Sequence, residues 1–325
     1  MVYDLIIVGS GAAGLSAGLY AGRYNMKVLI VRGEFGGESA TGGVFWNYPG
    51  TGPIDGYELM RKMESQAKDV GSELIDGKVL DIKRNGHCFD VVVQDGNKPI
   101  EHFGARTIIL ANGAERRKLG LPLEKELLHK GVHYCVTCDG PVYVDKTIAV
   151  IGGGDAAVKG VSLAGQFAKK VYLIVRGTDL RAEPVNIEEM KKLGDKVEII
   201  YGTEVKELVG VEKLEKIILT KTYNGSDELL LDGIFIEIGT LPNVTIAKSL
   251  GSNIDDKGYV MVDNSMKTNV DGLFACGDAV NFFGSFKQAI TAAAMGAVAA
   301  TSAYQDYKVH GELCQIHWIP TELEK

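Results

Sequence analysis

The amino-acid sequence predicts an α/β chain of two domains, the second inserted in the first. Two glycine-rich stretches are the main observations, Gly9-Ser10-Gly11-Ala12-Ala13-Gly14 and Gly152-Gly153-Gly154-Asp155-Ala156-Ala157. Each follows a short apolar run typical of a buried strand and opens a pattern with helical period. Such a unit binds dinucleotides, because the glycines let a pyrophosphate approach the positive end of the helix. The repeat therefore predicts two Rossmann-like dinucleotide-binding domains, each with three ββα layers.

Length, composition and charge agree with such a chain. Its 325 residues are enough for two domains with a core each, and 41 glycines suggest many tight turns or close approaches to a ligand. The net charge of −7 has no basic block, so neither nucleic acid nor an anionic membrane is an expected partner. One of the longest stretches without a charge runs from Gln288 up to Asp306. It is weakly apolar, and residues 288–306 predict a packed helix. Because an apolar strand begins by Leu5, we expect no targeting peptide and a cytoplasmic location.

The first glycine turn lies in a favourable context. Residues 3–8 predict the strand before it, an apolar helical pattern continues toward Tyr24, and residues 27–31 predict the returning strand. Glu34 then falls where an acid binds a ribose hydroxyl, although it is also consistent with a solvated loop acid. The next segments, 36–38 and 47–50, are rich in turn residues and predict irregular loops that wrap a cofactor or simply connect.

Two glycine-containing segments mark the predicted domain boundaries. A meander with strands near 79–82, 89–94 and 106–110 ends at Ala111-Asn112-Gly113, and Gly239-Thr240-Leu241-Pro242-Asn243 is the predicted return linker. The first domain is predicted to comprise residues 1–112 and 243–325, and the second residues 113–242.

A cysteine pair, Cys135-Val136-Thr137-Cys138, precedes the second glycine turn and is followed directly by Asp139. In a cytosolic chain this spacing indicates redox or metal chemistry rather than a structural crosslink. Asp139 is the candidate acid for the proton that disulfide exchange requires. A structural zinc site is the alternative, but it needs four ligands and the sequence has no second such pair, so no metal is predicted.

The second glycine turn follows a predicted strand at 147–151. The next strand, 171–175, is followed by Arg176 and Arg181 with no acid at its end, which favours the 2′-phosphate of NADP. Ordinary surface arginines are the alternative. Asn224-Gly225 predicts a hairpin turn in a further meander, before a strand at 234–238.

Near the end of the chain, residues 272–278 predict a strand ending in Gly277-Asp278, and an alanine-rich helix begins at about Gln288. Asp278 is a candidate for binding a ribityl or phosphate-linked hydroxyl, or for capping a helix. The last residues, with Cys314, His317 and Trp318, predict either a docked tail or a frayed end.

Together these motifs make the chain resemble the low-molecular-weight thioredoxin reductases from Tyr3 to Tyr307. The resemblance implies FAD on the first domain, NADPH on the second, and electron transfer through the cysteine pair to thioredoxin or a thioredoxin-like protein. It also implies that Cys138 faces the flavin, that Cys135 attacks the partner, that the second domain swings between two orientations, and that the protein is a homodimer.

The implied cofactor contacts follow residue by residue. For FAD they are Gly9, Ser10, Gly11, Ala12, Ala13, Gly14, Glu34, Gly37, Glu38, Asn47, Val79, Ala111, Gly113, Gly277, Asp278, Lys287, Gln288 and Ala289. For NADP they are Gly152, Gly154, Asp155, Ala156, Ala157, Arg176 and Arg181.

Some positions depart from the family pattern. Val175 and Gly177 replace two residues that the family uses around the 2′-phosphate. NADPH remains the favoured donor, with NADH, ferredoxin or another donor as alternatives. A nucleotide-binding redox sensor is the hypothesis from another class, and the two complete glycine turns and the acid beside the cysteine pair argue against it.

Overall fold

A computed structural model describes residues 2–284 and 286–310, with the backbone alone for His310. The tail residues for which a docked or frayed end was predicted, Cys314, His317 and Trp318, lie outside this range. The chain forms two compact units. The first unit comprises the residues up to Ala114 and those from Pro242 onward, and the second is Glu115–Leu241. These boundaries lie within two residues of the predicted ones, and the predicted α/β fold class with two Rossmann-like units is confirmed.

The first unit contains a seven-stranded sheet. Its strands lie in the order Glu73–Asp76, Val28–Arg32, Val2–Val8, Glu101–Leu110, Cys88–Gln94 and Lys78–Asn85, with Leu273–Ala275 also paired to Glu101–Leu110. The five strands at 2–8, 28–32, 73–76, 101–110 and 273–275 are parallel. Cys88–Gln94 pairs in antiparallel fashion with Glu101–Leu110 on one side and with Lys78–Asn85 on the other. The strand Val2–Val8, in the middle of this sheet, is an almost continuous apolar run, because a parallel sheet is covered on both faces.

Two helices of the first unit, Ala12–Arg23 and Ala289–His310, lie where the sequence predicts them, and the other three that the structure describes were not predicted. The helices of this unit are Ala12–Arg23, Gly37–Thr41, Gly56–Asp69, Thr245–Ser249 and Ala289–His310, with a 3₁₀ turn at Gly277–Ala279 and a strand pair Val44–Phe45 and Ile54–Asp55. The prediction that segment 36–38 has no regular element is wrong. The helix Gly37–Thr41 begins here, with Gly36 as its N-cap. Gly36 and Gly37 both have positive φ, and their amino-acid composition is typical of a turn.

The long C-terminal helix packs against the helix of the first glycine turn. A Cβ added at Gly296 would lie 2.0 Å from the carbonyl oxygen of Ala13, so the two helices approach with no room for a side chain. The prediction of a packed helix at 288–306 is thereby confirmed as Ala289–His310. Within the described residues, no helix is both long and apolar enough to cross a membrane.

We expect Gly296→Ala to destabilise the first unit. Alanine in place of a helical glycine would ordinarily gain roughly 1 kcal/mol. A contact with a backbone oxygen cannot be relieved by side-chain movement, and overpacking of this kind costs about 1–3 kcal/mol, so the loss should dominate. Thermal unfolding followed by circular dichroism measures the effect, and Val298→Ala on the exposed face of the same helix is the control. An unchanged or raised midpoint for Gly296→Ala would contradict the packing.

The second unit contains a five-stranded parallel sheet and a three-stranded antiparallel sheet. The parallel strands lie in the order Val132–His133, Gly233–Ile236, Thr147–Ile151, Lys170–Val175 and Val197–Tyr201, and the antiparallel strands are Val205–Gly210, Leu214–Tyr223 and Ser226–Leu230. The helices are Val136–Asp139, Asp155–Ala164 and Pro184–Lys191, with 3₁₀ turns at Gly140–Tyr143 and Gly194–Lys196. The predicted Asn224-Gly225 hairpin is confirmed, and both residues have the positive φ that such a turn requires.

The chain passes between the two units twice. The connecting strands are Ala114–Arg116 and Thr240–Pro242, and they pair with each other as a two-stranded sheet.

Candidate active site and nucleotide sites

The first glycine turn is closed by backbone contacts that exclude side chains. Gly9 has a φ of +107°, and a Cβ there would lie 2.4 Å from the carbonyl oxygen of Ala111. A Cβ at Gly14 would lie 1.9 Å from the carbonyl oxygen of Gly9. These two glycines hold the strand, the turn and the helix together.

Gly11 differs from Gly9 and Gly14 because a Cβ at its position would clash with no atom that the structure describes. It caps the helix Ala12–Arg23, and among the described residues the nearest atom to an added Cβ is the carbonyl oxygen of Gly36, at 3.8 Å. Gly37 passes close to Gly11, and the Ser10 hydroxyl donates to the carbonyl oxygen of Glu34 at 3.2 Å. A bare backbone surface at a helix N-terminus fits the pyrophosphate of a dinucleotide.

Several other predicted FAD contacts are brought to the same unit by tertiary structure. The Asn47 side-chain amide donates to the Gln288 side chain at 3.1 Å, across 241 residues of sequence. A Cβ at Gly277 would lie 3.1 Å from Cβ of Ala13. Asp278 lies inside the 3₁₀ turn Gly277–Ala279 and is half-buried.

Asp278 and Lys287 each shift the pKa of the other. Burial raises the pKa of Asp278, and the nearby Lys287 ammonium opposes that rise. Burial likewise lowers the pKa of Lys287, which donates to the carbonyl oxygen of Val280 and lies 4.4 Å above the ring of Tyr259. Val79, another of the predicted FAD contacts, is buried in the strand Lys78–Asn85. A half-buried carboxylate beside a glycine suits a ligand hydroxyl.

The second glycine turn repeats the geometry of the first. Gly152 has a φ of +143°, and a Cβ there would lie 2.2 Å from the carbonyl oxygen of Glu237. Gly154 caps the helix Asp155–Ala164, and among the described residues no atom lies within 4 Å of a Cβ added to it. Ala157 is fully buried, which suits its place as the third glycine of the pattern.

The predicted NADP contacts around this turn have different local roles. Asp155 accepts hydrogen bonds of 2.7 Å from the backbone N–H of Glu183 and the side chain of Asn186, so it holds the following segment. The backbone N–H of Arg181 donates to the carbonyl oxygen of Gly153 at 2.7 Å. The Arg176 side chain is 80% exposed, and its ion pair with Glu204 is long at 3.7 Å. The Arg181 side chain is exposed as well, so both arginine side chains are available to a ligand phosphate.

The cysteine pair is closed as a disulfide at the start of the short helix Val136–Asp139. The two Cα atoms are 5.3 Å apart, and the backbone N–H of Cys138 donates to Sγ of Cys135 at 3.1 Å. Cys135 is half-buried and Cys138 is exposed. A donor directed at Sγ of Cys135 would stabilise a thiolate on that residue after reduction.

The structure gathers two histidines around Asp139, forming a His-Asp cluster of His129, His133 and Asp139. His133 Nδ1 lies 3.2 Å from one carboxylate oxygen of Asp139, and His129 Nδ1 lies 3.8 Å from the other. His133 Nε2 lies 2.7 Å from the Tyr143 hydroxyl, and its ring stacks on Phe235. Sequence reasoning did not find these histidines, although two histidines four residues apart directly before a cysteine pair were a usable signal.

Burial controls the charge states around Asp139. It lowers the pKa of His133, and the neighbouring Asp139 carboxylate only partly opposes this effect. Burial also raises the pKa of the Tyr143 hydroxyl to about 12. Burial therefore favours the neutral imidazole of His133 and the neutral hydroxyl of Tyr143.

The fold and the site define a dinucleotide-dependent enzyme of disulfide chemistry, and comparison with known proteins agrees. Residues 3–296 match the model of the pyridine nucleotide-disulphide oxidoreductase family. A thioredoxin reductase of Peptoclostridium acidaminophilum is 38% identical over 315 residues, covering 93% of this chain and 96% of that protein. Crystal structures of thioredoxin reductases from Lactococcus lactis and T. acidophilum are 34% and 31% identical, with TM-scores of 0.87 and 0.85, each over 94% of this chain and 99% of the other.

The chain belongs to the pyridine nucleotide-disulphide oxidoreductase family, among its thioredoxin reductases. The resemblance inferred from the sequence motifs is thereby confirmed, as is the prediction of an enzyme that reduces disulfides.

Proposed function

We propose that the protein passes electrons from NADPH through FAD and the Cys135–Cys138 dithiol to thioredoxin or a thioredoxin-like protein. The observation that carries the proposal is the cysteine pair, in which a backbone N–H is directed at Sγ of Cys135 and an acid follows Cys138. The thioredoxin reductases among the relatives support the protein substrate. Membership of a homodimer and a cytoplasmic location stay predictions.

Both nucleotide assignments are supported by the fit of the glycine turns. The open side of Gly11, with Asp278 and the Asn47–Gln288 pair on the same unit, suits FAD. The open side of Gly154, with Arg176 and Arg181, suits NADPH. FAD, when bound, supplies the hydride acceptance and two-electron transfer that no side chain provides.

The cysteine chemistry follows from thiol–disulfide exchange. Two electrons and two protons convert the Cys135–Cys138 disulfide to the dithiol. The Cys135 thiolate attacks one sulfur of the partner's disulfide, which forms a mixed disulfide and releases one partner thiolate. The Cys138 thiolate then attacks Sγ of Cys135, restores the internal disulfide and releases the second partner thiolate. Asp139 is the proposed proton donor and acceptor for this exchange.

The order of attack predicts which cysteine a partner becomes attached to. With Cys138→Ser, the Cys135 thiolate has no resolving neighbour, so a thioredoxin lacking its own resolving cysteine should remain attached. Non-reducing electrophoresis and mass spectrometry of the linked peptides measure the product. Cys135→Ser is the matched variant and should give much less of it. If Cys135→Ser gave more of the linked product than Cys138→Ser, Cys138 would be the cysteine that attacks the partner. The greater exposure of Cys138 would agree with that result.

The donor assignment predicts a loss that is specific to NADPH. Arg176→Ala or Arg181→Ala should raise the KM for NADPH roughly 10- to 100-fold, because a charge-assisted phosphate contact contributes about 1.5–3 kcal/mol. The KM for NADH, which lacks the 2′-phosphate, should change little. Stopped-flow reduction of the flavin by each nucleotide provides the measurement, with Arg61→Ala in the first unit as the control.

Two results would contradict this assignment. Equal losses for NADPH and NADH would remove the arginines from phosphate recognition. If neither nucleotide at millimolar concentration reduces the flavin while reduced ferredoxin does, the donor is not a nicotinamide nucleotide.

A further inference from the structure

The His-Asp cluster has the composition of a metal site, and of its three residues the proposed disulfide chemistry uses only Asp139. One ligand atom from each of His129, His133 and Asp139 can be chosen so that all three lie within 4.8 Å of one another. Two ligands of a tetrahedral zinc ion, each about 2.0–2.1 Å from the metal, lie about 3.3 Å apart. The histidine-to-carboxylate distances of 3.2 and 3.8 Å bracket this value. The His129 side chain is 71% exposed, so an ion can reach the cluster from solvent.

His133 supplies a second, independent observation. Its side chain is only 4% exposed, and within residues 2–284 and 286–310 its Nδ1 atom has no hydrogen-bond partner. The contact with Asp139 has the distance of an ion pair but not the direction of a hydrogen bond. A buried ring nitrogen aimed into a cluster without a hydrogen bond is costly unless something else occupies the space.

The surroundings of His133 orient it as a ligand. In the tautomer with its proton on Nε2, His133 donates a hydrogen bond to the Tyr143 hydroxyl, 2.7 Å away. Nδ1 then carries a lone pair that faces an oxygen of Asp139. Two electron-rich atoms at this separation repel each other, and a cation between them removes the repulsion. Metal-bound histidines usually hold their other ring nitrogen in such a hydrogen bond, which fixes the tautomer.

We propose that His129, His133 and Asp139 bind a divalent cation of the zinc class, and that the bound ion takes Asp139 out of proton transfer and inhibits the cysteine pair. Two imidazoles and a carboxylate favour this class over magnesium or calcium, which prefer oxygen ligands alone. The inhibitory part rests on the proposed function, whereas the binding part does not.

Binding is tested on the oxidised, FAD-loaded protein without an affinity tag, because the closed disulfide offers no thiolate to the metal. Isothermal titration with Zn²⁺ should show one site per chain that His129→Ala and Asp139→Asn weaken at least roughly tenfold. His87→Ala, an exposed histidine of the first unit, should not change it, and Mg²⁺ should give no heat of binding. Flavin content and circular dichroism verify that each variant is folded. Equal affinity in His129→Ala, Asp139→Asn and the unmodified protein would overturn the site.

Inhibition is tested by turnover with a thioredoxin substrate at increasing Zn²⁺. His129→Ala should need at least tenfold more Zn²⁺ for half inhibition, with the turnover of each protein measured relative to its own rate without metal. An equal requirement in the variant and the unmodified protein would show that the reduced cysteines are the target, and would overturn the inhibitory part. A chain that turns over no thioredoxin but binds Zn²⁺ through His129 would contradict the proposed function and leave the metal site supported.

Discussion

Cys138→Ser should abolish repeated reduction of a protein disulfide, with a loss of at least about 10³-fold in kcat/KM, because the internal disulfide cannot be restored. Reduction of the flavin by NADPH should continue at a similar rate, since the dithiol acts after that step. Anaerobic titration of the flavin-loaded protein should consume about four electrons per chain in the unmodified protein and about two in the variant.

Cys276→Ala is the matched control for this loss. Cys276 is fully buried, and its burial raises the pKa of the thiol to about 12, so it is not a reactive thiolate. Its replacement should leave both turnover and electron uptake unchanged. Equal electron uptake by Cys138→Ser and the unmodified protein would remove the cysteine pair from the mechanism.

Gly11→Val should lower the affinity for FAD roughly 10- to 100-fold, equivalent to about 1.4–2.7 kcal/mol, because its side chain enters the space that a pyrophosphate requires. The fold should survive, since Gly11 has an ordinary φ of −73° and its Cβ position is open. Flavin content of the purified protein and rebinding of FAD to the flavin-free form measure the effect.

Two further glycine variants separate binding from folding. Gly14→Ala should lose both flavin and stability, because its Cβ would lie 1.9 Å from a backbone oxygen. Gly154→Val should retain its flavin and weaken only nicotinamide binding, since that glycine turn lies in the second unit. Full flavin content in Gly11→Val would show that the first turn does not hold the dinucleotide.

The parts of the site that lie within one local segment could be predicted from sequence. A strand that enters a glycine turn has little freedom, because contacts such as those at Gly9 and Gly152 exclude any side chain. The cysteine pair was found for the same reason, since a separation of three residues brings two sulfurs together without help from the rest of the fold. The helix Gly37–Thr41 was missed because its first residues, with positive φ, have the composition of a turn.

The amino-acid sequence alone determined the two nucleotide turns, their order, the redox pair and the family, since each depends on residues adjacent in the chain. Only the tertiary structure decided which distant side chains meet. Asn47 reaches Gln288 because packing joins segments 241 residues apart, and the burial that lowers the pKa of His133 comes with Phe235 and Tyr143, which lie on other elements. Such contacts depend on how whole elements pack, and local preferences do not specify that packing.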